Sequence, residues 1–227
     1  MNFASFCQTK LFLENKLMHM LFGRAYTITK NSAGCSWKII TGVVQGKTIS
    51  EIRKQNADAR LKAINLDLSS VKSILMFRDS LERWLLDSEM HFSIQVLINN
   101  AGILATSSRQ TAEGYDMMMF TNYLGPFFLT KLLLPLLKNS PSGSRIVNVT
   151  SFTHRSLFNV QVDKASVSGT TYNTMKQYPY AHIYEYSKLC VLLFTYQLKK
   201  VISMDDNLHS KVAVMYGAAC ASTATDV

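Results

Sequence analysis

Cysteine is scarce in this chain of 227 residues, and the four present, Cys7, Cys35, Cys190 and Cys220, stand far apart with no Cys-x-x-Cys pair. That excludes a disulfide framework and fits reduced, partly buried thiols of an intracellular protein. The five histidines, His19, His91, His154, His182 and His209, show no metal-ligand spacing, so no metal site is expected. Long apolar runs are missing too. Lys131 and Pro135 break the longest candidate before it reaches the roughly 18 residues a membrane span needs. Acids are few: 15 Asp and Glu against 24 Lys and Arg leave a formal charge of +9. No block of five like charges exists and the cations are spread along the chain, so nucleic-acid binding is not expected.

What is present suits a folded chain. Apolar residues make up 48% and charged residues 17%, and the length allows one domain with a full core. Residues 1–36 form an N-terminal extension, basic and poor in acid up to Tyr26, that suits either an organellar presequence or a disordered leader. Residues 37–227 form the single domain. An α/β rhythm starts at Trp37, with a strand at Lys38 to Ile40, a loop at 41–47 and a polar helix at 48–56. A strand at Leu61 to Leu66 follows, then a helix capped by Ser69 or Ser70 with apolar positions Val71, Ile74, Leu75, Leu81 and Leu85. Further strands are expected at 94–98, 146–149 and 212–215, and long helices at 114–138 and 182–201. Met117 to Met119 are expected as core filler. The polar stretch 152–181 is read as a substrate-side lid or a disordered loop.

The chemistry is concentrated in Tyr184-Glu185-Tyr186-Ser187-Lys188, where i, i+4 spacing puts a phenol and an ammonium on one helix face. A nearby lysine is expected to pull the phenol below its reference pKa of about 10, making an acid/base catalyst for a carbonyl or an alcohol. Three segments precede it. Val96-Leu97-Ile98-Asn99-Asn100-Ala101-Gly102 is a buried strand entering a turn, Asn122-Tyr123-Leu124-Gly125 lies in an apolar helix, and Arg145 to Ser151 is a strand delivering Ser151 at its carboxyl end. Ligands of open α/β sheets bind at that edge.

In this order the four segments resemble the short-chain dehydrogenase/reductase superfamily. Thr111-Ala112-Glu113-Gly114-Tyr115 and Tyr184-x-x-Ser187-Lys188-Leu189 are closest to its retinol-dehydrogenase-like and plant envelope-reductase-like members. The resemblance implies a Rossmann-like, doubly wound parallel sheet in three layers, binding NADP or NAD. It implies Tyr184 as acid/base, Lys188 on the nicotinamide ribose, Ser151 at the substrate oxygen and Asn122 on a relay water. Gly42, Gly46, Asp67, Asn99, Asn100, Ala101 and Gly102, together with Tyr184 and Lys188, would line the cofactor.

Departures from the family pattern are equally plain. Thr41-Gly42-Val43-Val44-Gln45-Gly46 fits the first half of the phosphate loop, but Thr48 stands where the third glycine belongs. Thr41 to Asp67 leaves room for only one helix and one strand, so a helix-strand unit is missing near the N-terminus. Either the sheet has a gap or a distortion there, with Asp67 near the adenine, or the Leu61 strand slides into the vacant place and Asp67 reaches a ribose hydroxyl. Val212 to Met215 is followed by no Pro-Gly turn, and the C-terminal cap is absent. The expected function is interconversion of a small apolar alcohol and carbonyl by a shortened family member with an impaired cofactor loop. The alternative is an inactive truncated relative acting as an interaction module. The resemblance also permits a homodimer through the helices bearing Asn122 and Tyr184, in the cytoplasm or an organelle such as the chloroplast. A hydrolase built on Ser151 and His154 is rejected, because no Gly-x-Ser-x-Gly elbow surrounds the serine.

Overall fold

The computed structural model describes residues 25–30, 37–42, 54, 61–87, 91–205 and 212–219. The polar helix expected at 48–56, most of the phosphate loop with Gly46 and Thr48, and Cys7, Cys35 and Cys220 lie outside these residues, apart from Lys54.

Six strands form one sheet: β1 (Ala25–Lys30), β2 (Trp37–Gly42), β3 (Leu61–Ile64), β4 (Ile94–Asn99), β5 (Ser144–Ser151) and β6 (Val212–Ala219). Their order is β3-β1-β2-β4-β5-β6. The pairs β2–β4, β4–β5 and β5–β6 are parallel. Strand β1 is antiparallel to both its neighbours, β2 and β3. Five strands therefore run one way and β1 runs against them.

That insertion is a distortion of the parallel sheet, one of the outcomes expected for the shortened N-terminal half. The sheet has no gap, and β3 does not slide beside β2. Residues of the N-terminal extension fill the place instead, Ala25 opposite Gly42 and Tyr26 opposite Ile64. An antiparallel neighbour needs only a short connection, whereas a parallel one needs a long crossover. Ala-Tyr-Thr-Ile-Thr-Lys is rich in residues that favour strands.

Helix α1 (Val71–Asp87) links β3 to β4 and buries Ile74, Phe77, Leu81 and Leu85. Ser70 accepts from Ser73 N through its hydroxyl at 3.3 Å, the expected cap, and Glu113 accepts from Val71 N at 3.2 Å. After β4 comes a composite helix: α2 (Met117–Met119), a π-turn (Phe120–Leu124) and α3 (Gly125–Lys138). Pro126 falls in the first turn of α3, where its missing N–H costs nothing, and Pro135 lies near the end. Leu129, Leu133, Leu136 and Leu137 of α3 join α1 and the sheet residues Ile39, Leu97 and Ile146 in the main core.

The stretch after β5 is ordered rather than loose. It contains a 3-10 turn (Phe152–Ser156), helix α4 (Lys164–Ser168) and a second 3-10 turn (Thr170–Thr174) before helix α5 (Tyr180–Ser203). Tyr172 is buried there with Met118, Met119, Ile183, Tyr186 and Cys190 in a second cluster, which bears out Met118 and Met119 as filler, while Met117 is half-buried outside it. Strand β6 continues past the expected Met215 to Ala219, pairing all eight residues with β5. Without a proline every position keeps its N–H, so nothing interrupts the ladder.

Candidate active site

The parallel strands deliver their ends to one edge. Asn99 ends β4 beside Thr41 of β2 and Asn148 of β5, and Ser151 closes β5 three residues further on. The Asn122 carboxamide spans the gap from the π-turn to the loop after β4. Its Oδ1 accepts from Ile103 N at 2.7 Å, and its Nδ2 donates to Ile103 O at 2.9 Å and to Ser187 Oγ at 3.1 Å. Ser187 in turn donates to Tyr184 O at 2.7 Å, so Asn122 fixes the turn of α5 that carries Tyr184. A π-turn adds a residue to the helix and is frequent where a side chain must be aimed.

Lys188 is buried, with Nζ donating to Val149 O at 3.2 Å and lying 5.6 Å from the centroid of the Tyr184 ring. Burial holds the ammonium down to about 8. Burial pushes the Tyr184 phenol up from its ordinary value, and a hydrogen bond with the Ser151 side chain offsets this in part. The expected lowering of Tyr184 is therefore corrected: desolvation outweighs the Ser151 hydrogen bond, and the Lys188 ammonium donates to a β5 carbonyl. Ser151 also caps the 3-10 turn, its Oγ accepting from Thr153 N at 3.4 Å and from Thr153 Oγ1 at 3.1 Å.

Gly102 faces this group. A Cβ there would stand 3.2 Å from Lys188 Nζ and 3.3 Å from Asn122 Oδ1. Thus Gly102, Asn122, Ser151, Tyr184 and Lys188 converge, with Ala101 and Asn100 on the adjoining backbone. Asn99 faces inward, donating from Nδ2 to Thr130 Oγ1 at 3.0 Å and to Asn148 Oδ1 at 2.8 Å. Asn148 donates onward to Thr195 at 2.9 Å, forming a buried polar chain that ties α3, β4, β5 and α5 together. The Asn99 Oδ1 is buried with no hydrogen-bond partner among the described residues. Gly42 lies at the end of β2 on the same edge. Asp67 is engaged in its own turn, accepting from Ser69 N at 3.0 Å and from Ser69 Oγ at 2.6 Å.

Two residues, Asp116 and Tyr178, escaped the sequence reading. Asp116, fully buried, caps α2 by accepting from Met119 N at 2.9 Å and takes the Tyr178 hydroxyl at 2.7 Å. Its own N–H donates to Ser168 O at 3.0 Å, so it clamps the 157–179 stretch onto the helix bearing Asn122. An aspartate just before three helix-forming methionines was the available signal.

The sequence profile of the short chain dehydrogenase family matches residues 22–203. The chain belongs to that family. It is 36% identical over 163 residues to human retinol dehydrogenase 11, covering 70% of this chain and 45% of that one. It is 32% identical over 162 residues to human polyprenol dehydrogenase, again covering 70% and 45%. The chain thus spans about half the length of the curated relatives it matches. The solved landomycin C-6 ketoreductase, which carries bound NADP and rabelomycin, superposes with a TM-score of 0.52 at 21% identity over 76% of this chain and 61% of its own. That likeness shows the Rossmann-like fold of the family. The family match begins inside the N-terminal extension, just ahead of β1.

The family implies a nicotinamide dinucleotide, and the residues at the nicotinamide end fit one. Gly102 leaves space that a Cβ would fill beside Lys188 and Asn122, and Asn99 offers a buried acceptor. Of the phosphate-loop glycines only Gly42 is among the described residues.

Proposed function

We propose that this chain is an NAD(P)-dependent oxidoreductase that interconverts a small apolar alcohol and its carbonyl. The observation that carries this reading is the convergence of Tyr184, Ser151, Lys188 and Asn122 around Gly102. The dinucleotide would supply the hydride, held by Lys188, Asn99, Asn100, Ala101 and Gly102, with Gly42, Gly46 and Asp67 toward its other half. Ser151 hydrogen-bonds the substrate oxygen and Tyr184 exchanges a proton with it. The raised phenol keeps its proton at neutral pH, the form that reduction of a carbonyl requires. A positive Lys188 beside the phenol is the group that would support the phenolate in the reverse direction. Pairing of two copies through α3 and α5, and an intracellular compartment, belong to the same reading.

The second reading, an inactive relative, is favoured by the reversed β1 beside β2, because β1 brings its amino end, Ala25, to the edge where its neighbours present carboxyl ends. Titration of the full chain with NADPH and NADH, followed by cofactor fluorescence and thermal shift, separates the two. Binding of either tighter than about 100 μM supports the oxidoreductase. Absence of binding by both sinks it in favour of the inactive relative.

A further inference from the structure

Leu157 and Val160 pack inward against the second core cluster, yet Phe158 between them is 85% exposed. Asn159 stands in the left-handed region at φ 51°, a conformation asparagine tolerates, and this turn sets Phe158 outward between two anchored neighbours. Phe158 is therefore a fixed apolar prong, not a side chain on a free loop. Others project from the same stretch, which follows the carboxyl end of β5: Phe152, Val162 and Met175 are all exposed. The stretch itself is held down by Tyr178 on Asp116 and by Tyr186 donating to Gln161 O at 3.0 Å.

Cations lie along the same stretch of sequence. Arg155, stacked over Phe152 at 5.2 Å, Lys164 and Lys176 are exposed. The one acid between Phe152 and Tyr180 is Asp163, whose carboxylate is used in capping α4 by accepting from Ser166 N at 2.8 Å. Exposed apolar prongs interleaved with uncompensated cations are the pattern of a face that sits in the headgroup region of an anionic bilayer. No helix among the described residues is long and apolar enough to cross a membrane.

We infer that the stretch from Phe152 to Met175 docks this chain on an anionic lipid surface, with Phe158 as the inserted side chain. The surface adjoins Ser151 and would present the candidate site to alcohols dissolved in the bilayer. The docking goes beyond the proposed chemistry and is measured without turnover or cofactor, so either can fail without the other.

The test is sedimentation of the full chain with phosphatidylcholine vesicles with and without about a third phosphatidylserine, using the Phe158→Trp variant as an optical reporter. Expected are binding to the anionic vesicles, a blue shift of the introduced indole's emission on binding, and a loss of at least about tenfold in partitioning for the Lys164→Glu, Lys176→Glu double variant. Phe158→Glu should weaken binding by a similar factor while leaving the thermal melt unchanged, as expected for an exposed side chain. Absence of vesicle binding would overturn the proposal. So would binding with no shift at position 158, which would place the contact elsewhere on the chain. Equal competition by a soluble acidic polypeptide, with no shift, would mark the face as a protein-docking surface instead.

Discussion

Gly102 and Lys188 are so close that a Cβ on the glycine would stand 3.2 Å from the lysine ammonium, with Asn122 Oδ1 only 3.3 Å away. Neither neighbour is free to retreat: three hydrogen bonds hold Asn122, and a β5 carbonyl holds Lys188. Gly102→Ala should therefore close part of the space at the nicotinamide end. NADPH affinity in a fluorescence titration is expected to fall about tenfold, roughly 1.4 kcal/mol, with the melt lowered only slightly. An unchanged affinity would place the cofactor elsewhere.

Asp116 joins the substrate-side stretch to the helix of Asn122. Asp116→Ala removes a cap and strands the Tyr178 hydroxyl, and should cost about 2–4 kcal/mol in urea unfolding. Tyr178→Phe alone should cost about 1 kcal/mol, and the double variant should fall short of the sum, because both act through one bond.

Lys188 makes stability depend on pH in a defined window. Its pKa of about 8 in the fold lies below the ordinary lysine value of 10.5, so between these the unfolded chain holds a proton that the folded chain has shed. Stability from this group rises with pH across that window, and the burial cost is fully present below it. Relative to wild type, Lys188→Met should therefore look better at pH 7 than at pH 10, by on the order of 2 kcal/mol in urea unfolding. An equal difference at both pH values would mean that the ammonium is not desolvated.

Gly125 lets α3 touch the turn after β3, for a Cβ there would collide with Leu68 O. A backbone oxygen cannot swing aside as a side chain can. Gly125→Ala is expected to cost about 3 kcal/mol and to disturb the Asp67 turn, read as a lowered melt.

Much of this was legible from residue order and periodicity. The buried strands ending at Asn99 and Ser151 and the helix carrying Tyr184 and Lys188 declared themselves through continuous apolar runs and i, i+4 spacing, and local sequence decides such elements. Strand β1 did not, because Ala25 to Lys30 gains its place only by pairing with β2 and β3, a tertiary event with no local period. The π-turn at Asn122 hid inside an apolar helix for a different reason: a single inserted residue leaves the hydrophobic pattern almost intact. The direction of the Tyr184 shift was misjudged because spacing reveals the neighbouring charge and says nothing of burial. Asp116 and its partner Tyr178 are far apart in sequence, so only the folded chain joins them.

Proton transfer by Tyr184 stands or falls on steady-state reduction of a small apolar aldehyde with NADPH, comparing wild type with Tyr184→Phe. Turnover is expected from the wild type, with a loss of at least about a hundredfold in kcat for the variant while NADPH affinity and thermal melt stay unchanged. Retained turnover in Tyr184→Phe would contradict the assignment.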